Sequence, residues 1–340
     1  MISIVIPTRA RQERVYKQIE TVNKQLSKLN LTIELELLIV ENNSSHLLSA
    51  QKIKRAGWAI KTEPADLGGN HNFCNSIISA QMDYVWVLGD DDILKPNSVD
   101  KVVQFIQKYE ADCLIVNKLG LIKGNTKPKT QRDLFDQIPE LGPLIHISGY
   151  VVKRKAFLEC CSDSILYQST FLPQLIYALN AQQRQSLYLI EEEIFIEKKI
   201  ENKLITELYF VSTLVVIGLK NIEIFIESKA LKSWFNLIKN TRRNWLTPKG
   251  IMYELANYFA SNRTLRLRFY NQTISINHQG LLRFIFFKCI GNAVLRSDFL
   301  SCKFVNLYEY FRGFSINFRP SLKYYHALYL KDREEELNEK

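Results

Sequence analysis

Hydrophobic residues in the first 200 positions form short runs that alternate with amphipathic stretches. The runs predict strands at 2–6, 33–40, 58–62, 84–88, 113–117, 145–152 and 186–195. The amphipathic stretches predict helices at 12–29, 70–81, 95–109 and 155–181. Because this alternation is typical of successive βαβ units, the sequence predicts an α/β fold with a doubly wound, mostly parallel sheet.

Two regions depart from the alternation. The segment 120–142 is polar and contains Pro128 and Pro139, which predicts a mobile loop. Beyond residue 200 the hydrophobic positions repeat at helical spacing, as they do over 223–239. The sequence therefore predicts an α/β domain at 1–200 and a mainly helical region at 201–340.

Charge separates the same two regions. The 340 residues carry a net charge of +10, of which residues 1–200 contribute +1 and residues 201–340 contribute +9. Basic residues there are mixed with aromatic ones, a combination that suits an anionic membrane surface or an anionic acceptor. A helical domain with a solvated basic face is an equal alternative.

The cysteines and the first residues bear on cellular location. The six cysteines include no C-x-x-C pair, so neither a zinc site nor a disulfide framework is predicted. Residues 1–7 lack the pattern of a secretory signal. No strongly apolar stretch reaches the roughly 20 residues that span a bilayer. The sequence predicts a cytoplasmic protein without transmembrane segments.

The apolar run 84–88 ends, after Gly89, in three consecutive carboxylates: Asp90, Asp91 and Asp92. A buried strand would place them at the carboxyl edge of the sheet, where open α/β folds bind ligands. Their mutual repulsion is offset if Mn²⁺ or Mg²⁺ binds there with a substrate's phosphates. A solvated acidic turn is the alternative.

Other strand ends carry polar motifs that converge on the same edge. They are Pro7-Thr8-Arg9, Glu41-Asn42-Asn43-Ser44-Ser45 and Asp66-Leu67-Gly68-Gly69-Asn70-His71-Asn72. Together with V-W-V-L-G-D-D-D, these motifs resemble in order and spacing the nucleotide-sugar half of the family-two glycosyltransferases. The resemblance covers about residues 1–200 and implies the GT-A fold.

Physical roles and the resemblance together give an expected donor site. Arg9 is placed to pair with a diphosphate, and Glu41 to accept hydrogen bonds from a pyrimidine or ribose. The residues expected to bind the nucleotide-sugar are Pro7, Thr8, Arg9, Glu41, Asn43, Gly68, Gly69, Asn70, Asp90 and Asp91. Asn70, Asn72 and Asn75 cap a helix or touch the nucleotide. The resemblance implies that Asp92 binds the metal and that Asp90 contacts ribose or metal-bound water.

The catalytic base is less well marked. Family-two enzymes invert the anomeric centre, which requires a carboxylate to take the acceptor's proton, and no segment matches the family's usual pattern. Asp163 is the first candidate and Glu191, on a predicted strand, the second. His146 is a candidate metal or acceptor ligand or a structural histidine. Tyr150, after Gly149, either stacks on an acceptor sugar or lies in a core strand.

The expected function is that of an inverting, metal-dependent glycosyltransferase. The favoured donor is a UDP-sugar, and the acceptor is a saccharide hydroxyl, with lipid-linked oligosaccharides among the candidates. The resemblance suggests bacterial surface polysaccharide, either capsule or the O-antigen of lipopolysaccharide, made by a cytoplasmic enzyme in peripheral contact with the membrane. No nucleic-acid partner is expected. The alternatives are a nucleotidyltransferase, a basic nucleic-acid-binding protein and a non-catalytic relative.

Overall fold

The structure is a computed structural model, and it describes residues 1–9, 11–28, 33–42, 48–64, 68–118, 120–160, 172–196 and 222–245. The chain divides into two compact units. One comprises Met1–Lys198 and Ile222–Thr241, and the other Lys199–Asn221 and Arg242–Lys340. Nearly all described residues belong to the first unit. Asn43 and Asp163 lie outside the described residues, and the organisation of most of 201–340 stays a prediction.

Within the described residues, the main sheet of the first unit has seven strands. They are β1 (Ile2–Thr8), β2 (Leu35–Asn42), β3 (Ala59–Glu63), β4 (Tyr84–Val87), β6 (Cys113–Asn117), β7 (Tyr150–Lys153) and β8 (Leu187–Glu193). Their order is β3-β2-β1-β4-β7-β6-β8. β7 runs antiparallel to β4 and β6, whereas the other neighbouring strands pair in parallel. The predicted α/β fold with a mostly parallel sheet is confirmed. β5 (Ile93–Leu94) and β9 (Phe195–Ile196) form a separate antiparallel pair.

The central strands form because their apolar runs are covered on both faces. β4 and β6 are buried at every position, as is typical of parallel strands between helical layers. The helices are α1 (Gln12–Leu26), α2 (Ala50–Arg55), α3 (Gly69–Ser79), α4 (Ser98–Tyr109), α5 (Gln131–Gln137), α6 (Gly142–Ile145), α7 (Arg154–Glu159), α8 (Pro173–Gln183) and α9 (Leu231–Trp245). No helix in the described ranges has the length and apolarity that crossing a bilayer requires.

The prediction of a loop over 120–142 is wrong, because the segment contains α5 and the first residue of α6. Thr126 pairs with Leu189 of β8 as an isolated bridge. The side chain of Thr130 accepts from the backbone of Asp133, and Asp133 accepts from the backbone of Thr130. This capping box satisfies N–H groups at the start of α5 and so stabilises the helix.

The predicted strand at 145–152 is also wrong in its first half. Pro143 stands near the start of α6, and a 3₁₀ turn at Ile147–Gly149 follows before β7 begins at Tyr150. Proline fixes φ at a helical value, which favours a helix start. The turn brings Ser148 to the carboxyl edge of the parallel strands.

Gln131 links α5 to the described residues beyond 221. Its Nε2 donates to the carbonyl of Phe225 at 3.1 Å, and its Oε1 accepts from the N–H of Glu227 at 2.8 Å. The side chain is fully buried. These two bonds therefore fix the segment before α9 against the α/β core.

Gln131→Ala is expected to lower the free energy of unfolding by about 1–3 kcal/mol, because it removes a fully buried side chain and leaves two partly buried backbone groups without their partner. Urea denaturation measures the change. Gln137→Ala, on the exposed side of the same helix, is the matched control and is expected to cost less than about 0.5 kcal/mol. Equal losses in the two variants would show that Gln131 does not anchor this segment.

Candidate active site

The site lies at the edge where β1, β4 and β6 end and where the turn before β7 arrives. Thr8 is the last residue of β1, and Asp90 and Asp92 follow β4. Lys118 follows β6, and Ser148 precedes β7. Because β7 is antiparallel to its neighbours, its beginning meets their ends. Carboxylates, a cation and hydroxyls are thus collected at one place.

Asp90 is held from the β1 side. Thr8 Oγ1 donates to Asp90 Oδ2 at 2.8 Å, and Arg11 Nη1 lies 2.9 Å from Asp90 Oδ1. Asp90 is only 5% exposed. Burial raises the pKa of Asp90 above its ordinary value, although Arg11 and the Thr8 hydroxyl favour the ionised form. The carboxylate therefore fixes the guanidinium of Arg11 at the edge of the sheet.

Asp92 is held from the opposite side. Lys118 Nζ lies 2.5 Å from Asp92 Oδ1, and the Ser148 hydroxyl donates to Oδ2. Ser148 Oγ in turn accepts from the N–H of Gly89 at 2.8 Å. A Cβ on Gly89 would lie 2.9 Å from Asp92 Oδ2 and 3.0 Å from Ser148 Oγ, so this close approach requires glycine.

Asp90 and Asp92 have separate partners because the chain turns between them. β4 ends at Val87, and the N–H of Asp92 donates to the carbonyl of Gly89 at 3.3 Å. The extended geometry that would place alternate carboxylates on one side does not continue through the acidic triplet. Asp91 is half-buried beside them.

His146 adjoins the Lys118–Asp92 pair. Its Nδ1 lies 3.4 Å from Lys118 Nζ, a geometry in which a neutral imidazole accepts from the ammonium. Burial and the charge of Lys118 lower the pKa of His146 to about 4, against the opposing effect of Asp92 and Asp91. At neutral pH, His146 is uncharged.

His146 makes the fold sensitive to acid. In the unfolded chain its pKa is about 6.5, so the unfolded state takes up the proton first as the pH falls. Stability from this residue is complete above pH 6.5 and is lost as the pH falls toward about 4. His146→Gln is expected to remove roughly 1–2 kcal/mol of this pH dependence. Urea denaturation of both proteins at pH 7 and pH 4.5 measures the free energy of unfolding. An equal loss between the two pH values in the wild type and the variant would contradict the prediction.

The other expected donor-binding residues lie at the ends of β1 and β2 and at the start of α3. Pro7 is half-buried and Arg9 is exposed. Glu41 is buried and both its oxygens accept from the N–H of Leu48, at 3.2 and 3.3 Å. Gly68 has φ of +85° and precedes the helix that begins at Gly69. Their contacts with a donor, like those of Asn70, stay predictions.

Two asparagines of α3 have different surroundings. Asn72 Nδ2 lies 3.4 Å from the Thr8 carbonyl oxygen, and its buried Oδ1 has no hydrogen-bond partner among the described residues. Asn75 Nδ2 donates to Glu63 at 2.5 Å, and its Oδ1 accepts from Lys61 at 3.3 Å. Asn75 therefore ties α3 to β3, whereas Asn72 lies beneath the end of β1.

Of the two candidate bases, the structure describes only Glu191. Glu191 is exposed on β8, and its role as a base stays a prediction. Its neighbours form ion pairs: Glu192 with Lys101, and Glu193 with Lys95 at 2.7 Å. Asp163 belongs to a stretch outside the described residues.

Of the two alternatives for Tyr150, the structure supports the core strand and not stacking on an acceptor sugar. Its side chain is fully buried, and its hydroxyl donates to the carbonyl of Leu144 at 2.8 Å. Gly149 is likewise a packing residue, because a Cβ there would lie 3.1 Å from the carbonyl oxygen of Val116. Both residues belong to the core behind the site.

The sequence patterns did not single out Arg11, Lys118 or Ser148. Arg11 lies two residues after Arg9, the last residue of the predicted strand-end motif, and it precedes the first residue of α1. Lys118 follows a predicted strand directly, so a search of every strand end for cations would have found it. Ser148 carried no such signal, because its place depends on the 3₁₀ turn.

Comparison with known proteins identifies the family. The model of glycosyl transferase family 2 matches residues 3–174. No curated protein gives a significant match. S. aureus TarS 1–349 is 12% identical with a TM-score of 0.51, over 86% of this chain and 89% of that chain. The mannosyltransferase PcManGT from Pyrobaculum calidifontis, in complex with GDP-Man and Mn²⁺, is 11% identical with a TM-score of 0.51, over 89% and 82%.

At these identities the two structures establish a shared fold, which confirms the predicted GT-A architecture. The family match rests on the sequence itself and covers just over half of the chain. It includes β1, the acidic triplet, Lys118 and Ser148. The chain therefore belongs to glycosyl transferase family 2 and is a glycosyltransferase.

Proposed function

We propose that the protein transfers a sugar, with inversion, from a nucleotide-sugar to a saccharide hydroxyl and depends on a divalent metal. The observation that carries the proposal is the pairing of Asp90 with Arg11 and of Asp92 with Lys118 at one sheet edge. Cations that are oriented by buried or half-buried carboxylates are suited to bind a diphosphate. UDP is the favoured nucleotide.

The likeness to solved structures supports a nucleotide-sugar donor. One structure of TarS 1–349 is a complex with UDP, with a TM-score of 0.51 and 12% identity, over 81% of this chain and 80% of that chain. PcManGT is in complex with GDP-Man and Mn²⁺. Both neighbours thus hold a nucleotide on the fold that this chain shares.

The acidic triplet fits a divalent cation in its chemistry, because Mn²⁺ and Mg²⁺ prefer carboxylate oxygens. Asp92 is the residue that would hold the cation, with Asp90 nearby as the second member of the pair. Among the described residues, no three His, Cys, Asp or Glu side chains converge as a ready metal cage. Phosphate oxygens of the donor would complete such a site. The chemistry supplied is neutralisation of charge on the departing diphosphate.

Transfer with inversion is a single displacement. The acceptor oxygen bonds to the anomeric carbon as the bond from that carbon to the phosphate oxygen breaks, and the hydroxyl proton passes to a carboxylate. Asp163 and Glu191 are the proposed bases. Arg11 and Lys118 lie where they can stabilise the negative charge that develops on the diphosphate.

Nucleotide calorimetry tests the donor site. UDP, dTDP, CDP and GDP are titrated into the wild type and Asp92→Asn, with and without Mn²⁺. Selective binding that requires Mn²⁺ and is lost in the variant is the expected result. Absence of binding by all four nucleotides under both conditions would refute the proposal.

We further propose an acceptor of bacterial surface polysaccharide, either capsule or O-antigen, and peripheral contact of a cytoplasmic enzyme with the membrane. The support is the net charge of +9 within residues 201–340, mixed with aromatic residues. Sedimentation with neutral and with anionic vesicles tests the membrane contact. More protein is expected to sediment with anionic vesicles, and equal recovery would remove this argument.

A further inference from the structure

Lys118 occupies the place where a cation would meet Asp92. Its Nζ lies 2.5 Å from Asp92 Oδ1, and the two side chains are 16% and 13% exposed. The ammonium is also 3.4 Å from His146 Nδ1 and 5.7 Å from the centre of the Phe195 ring. Lys118 is therefore a half-buried counter-ion with partners on three sides.

Both carboxylate oxygens of Asp92 already accept from the protein, one from Lys118 and the other from Ser148. A divalent cation bound to Oδ1 would lie within a few ångströms of the ammonium if Lys118 stayed in place. Repulsion between the two cations is strong at that separation, because the pair is shielded from solvent. Binding of a metal to Asp92 Oδ1 while Lys118 stays in place would therefore cost electrostatic free energy.

We propose that Lys118 competes with the divalent cation for Asp92, so that metal binding requires displacement of the lysine. The inference rests on the proposed function, whose metal site it deepens. The Phe195 ring and the His146 imidazole lie beside the ammonium where it pairs with Asp92, and a donor diphosphate would offer the displaced lysine a new anionic partner. Donor and metal therefore bind cooperatively: each makes the displacement of Lys118 less costly for the other.

The test is the affinity of the protein for Mn²⁺ alone, read from the electron paramagnetic resonance of free Mn²⁺. Lys118→Met and Lys118→Gln are expected to bind Mn²⁺ about tenfold more tightly than the wild type, because a competing charge has been removed. Lys118→Arg keeps the charge and is expected to match the wild type. Lys101→Met removes a lysine from the surface pair with Glu192 and is the matched control, with unchanged affinity.

The titration is repeated with UDP and with GDP present. The nucleotide that binds is expected to raise the Mn²⁺ affinity of the wild type by a larger factor than that of Lys118→Met. Equal or weaker Mn²⁺ binding by both uncharged variants, with normal thermal unfolding, overturns the inference. If nucleotides still bind in that case, the proposed donor site is retained and only the competition between Lys118 and the metal is refuted. If no nucleotide binds to any protein, the proposed function itself fails.

Discussion

Asp90→Asn is expected to lower kcat/KM for sugar transfer by at least about 100-fold without loss of stability. Asparagine can still accept from the Thr8 hydroxyl, but it offers no charge to orient Arg11, which lies 2.9 Å from the carboxylate. Activity falls because the guanidinium loses its fixed position at the donor edge. Product formation from the nucleotide-sugar that calorimetry identifies measures the change.

The stability of this variant follows from the raised pKa of Asp90, for which burial is the main cause. Because the folded state holds the proton more tightly than the unfolded state, ionisation of Asp90 makes the fold less stable as the pH rises above about 3.9. An uncharged asparagine avoids this cost. The midpoint of thermal unfolding at pH 7 is therefore expected to equal or exceed that of the wild type.

Asp136→Asn is the matched control, because Asp136 pairs with Arg132 on the exposed surface of α5. Both activity and stability are expected to stay within error of the wild type. A parallel loss of activity and stability in Asp90→Asn would show that Asp90 maintains the fold instead of preparing the donor site.

Trp86→Ala is expected to lower the free energy of unfolding by about 3–5 kcal/mol. The indole is fully buried, packs edge-on against Phe195 at 6.2 Å between ring centres, and donates to the carbonyl of Ser148 at 2.9 Å. Trp58→Ala is expected to cost a similar amount, since Trp58 is also buried and donates to Asn23 at 2.9 Å. Urea denaturation of the two variants gives the comparison.

The phenylalanine variants separate packing from site geometry. Trp86→Phe keeps most of the ring contacts but leaves the Ser148 carbonyl without its donor, so the hydroxyl of Ser148 is less well held against Asp92. Nucleotide affinity in Mn²⁺ is expected to fall roughly tenfold, equivalent to about 1.4 kcal/mol. Trp58→Phe is expected to leave the affinity unchanged. Equal nucleotide affinities in Trp86→Phe and Trp58→Phe would show that Trp86 does not support the geometry of the site.

The parts of the fold that the sequence predicts correctly are those fixed by local pattern. β1 ends at Thr8, Asp90 follows shortly after β4, and parallel pairing of the two strands brings these ends together. The acidic triplet was therefore recognisable as part of a site. The capping box of Thr130 and Asp133 is also a local pattern, although Pro128 and Pro139 in the same segment predict a loop.

The contacts that escaped prediction depend on long-range register. Lys118 and Ser148 reach Asp92 from 26 and 56 residues away along the chain. They do so only because β7 enters the sheet antiparallel, between β4 and β6. The sequence points to Arg9 because it directly follows β1, whereas the direction of the chain after β1 brings Arg11 to Asp90.

The position of β7 has a consequence for folding. Strands β1 to β4 form one continuous block, and β6 to β8 form a second block that joins the first through pairing of β4 with β7. Pairing over this distance has a large loop-closure cost, so it is slow compared with local structure. A partly folded chain in which only the first block has formed can already pair Asp90 with Thr8 and Arg11. It lacks Lys118 and Ser148 beside Asp92, so the complete site arises only when the two blocks have docked.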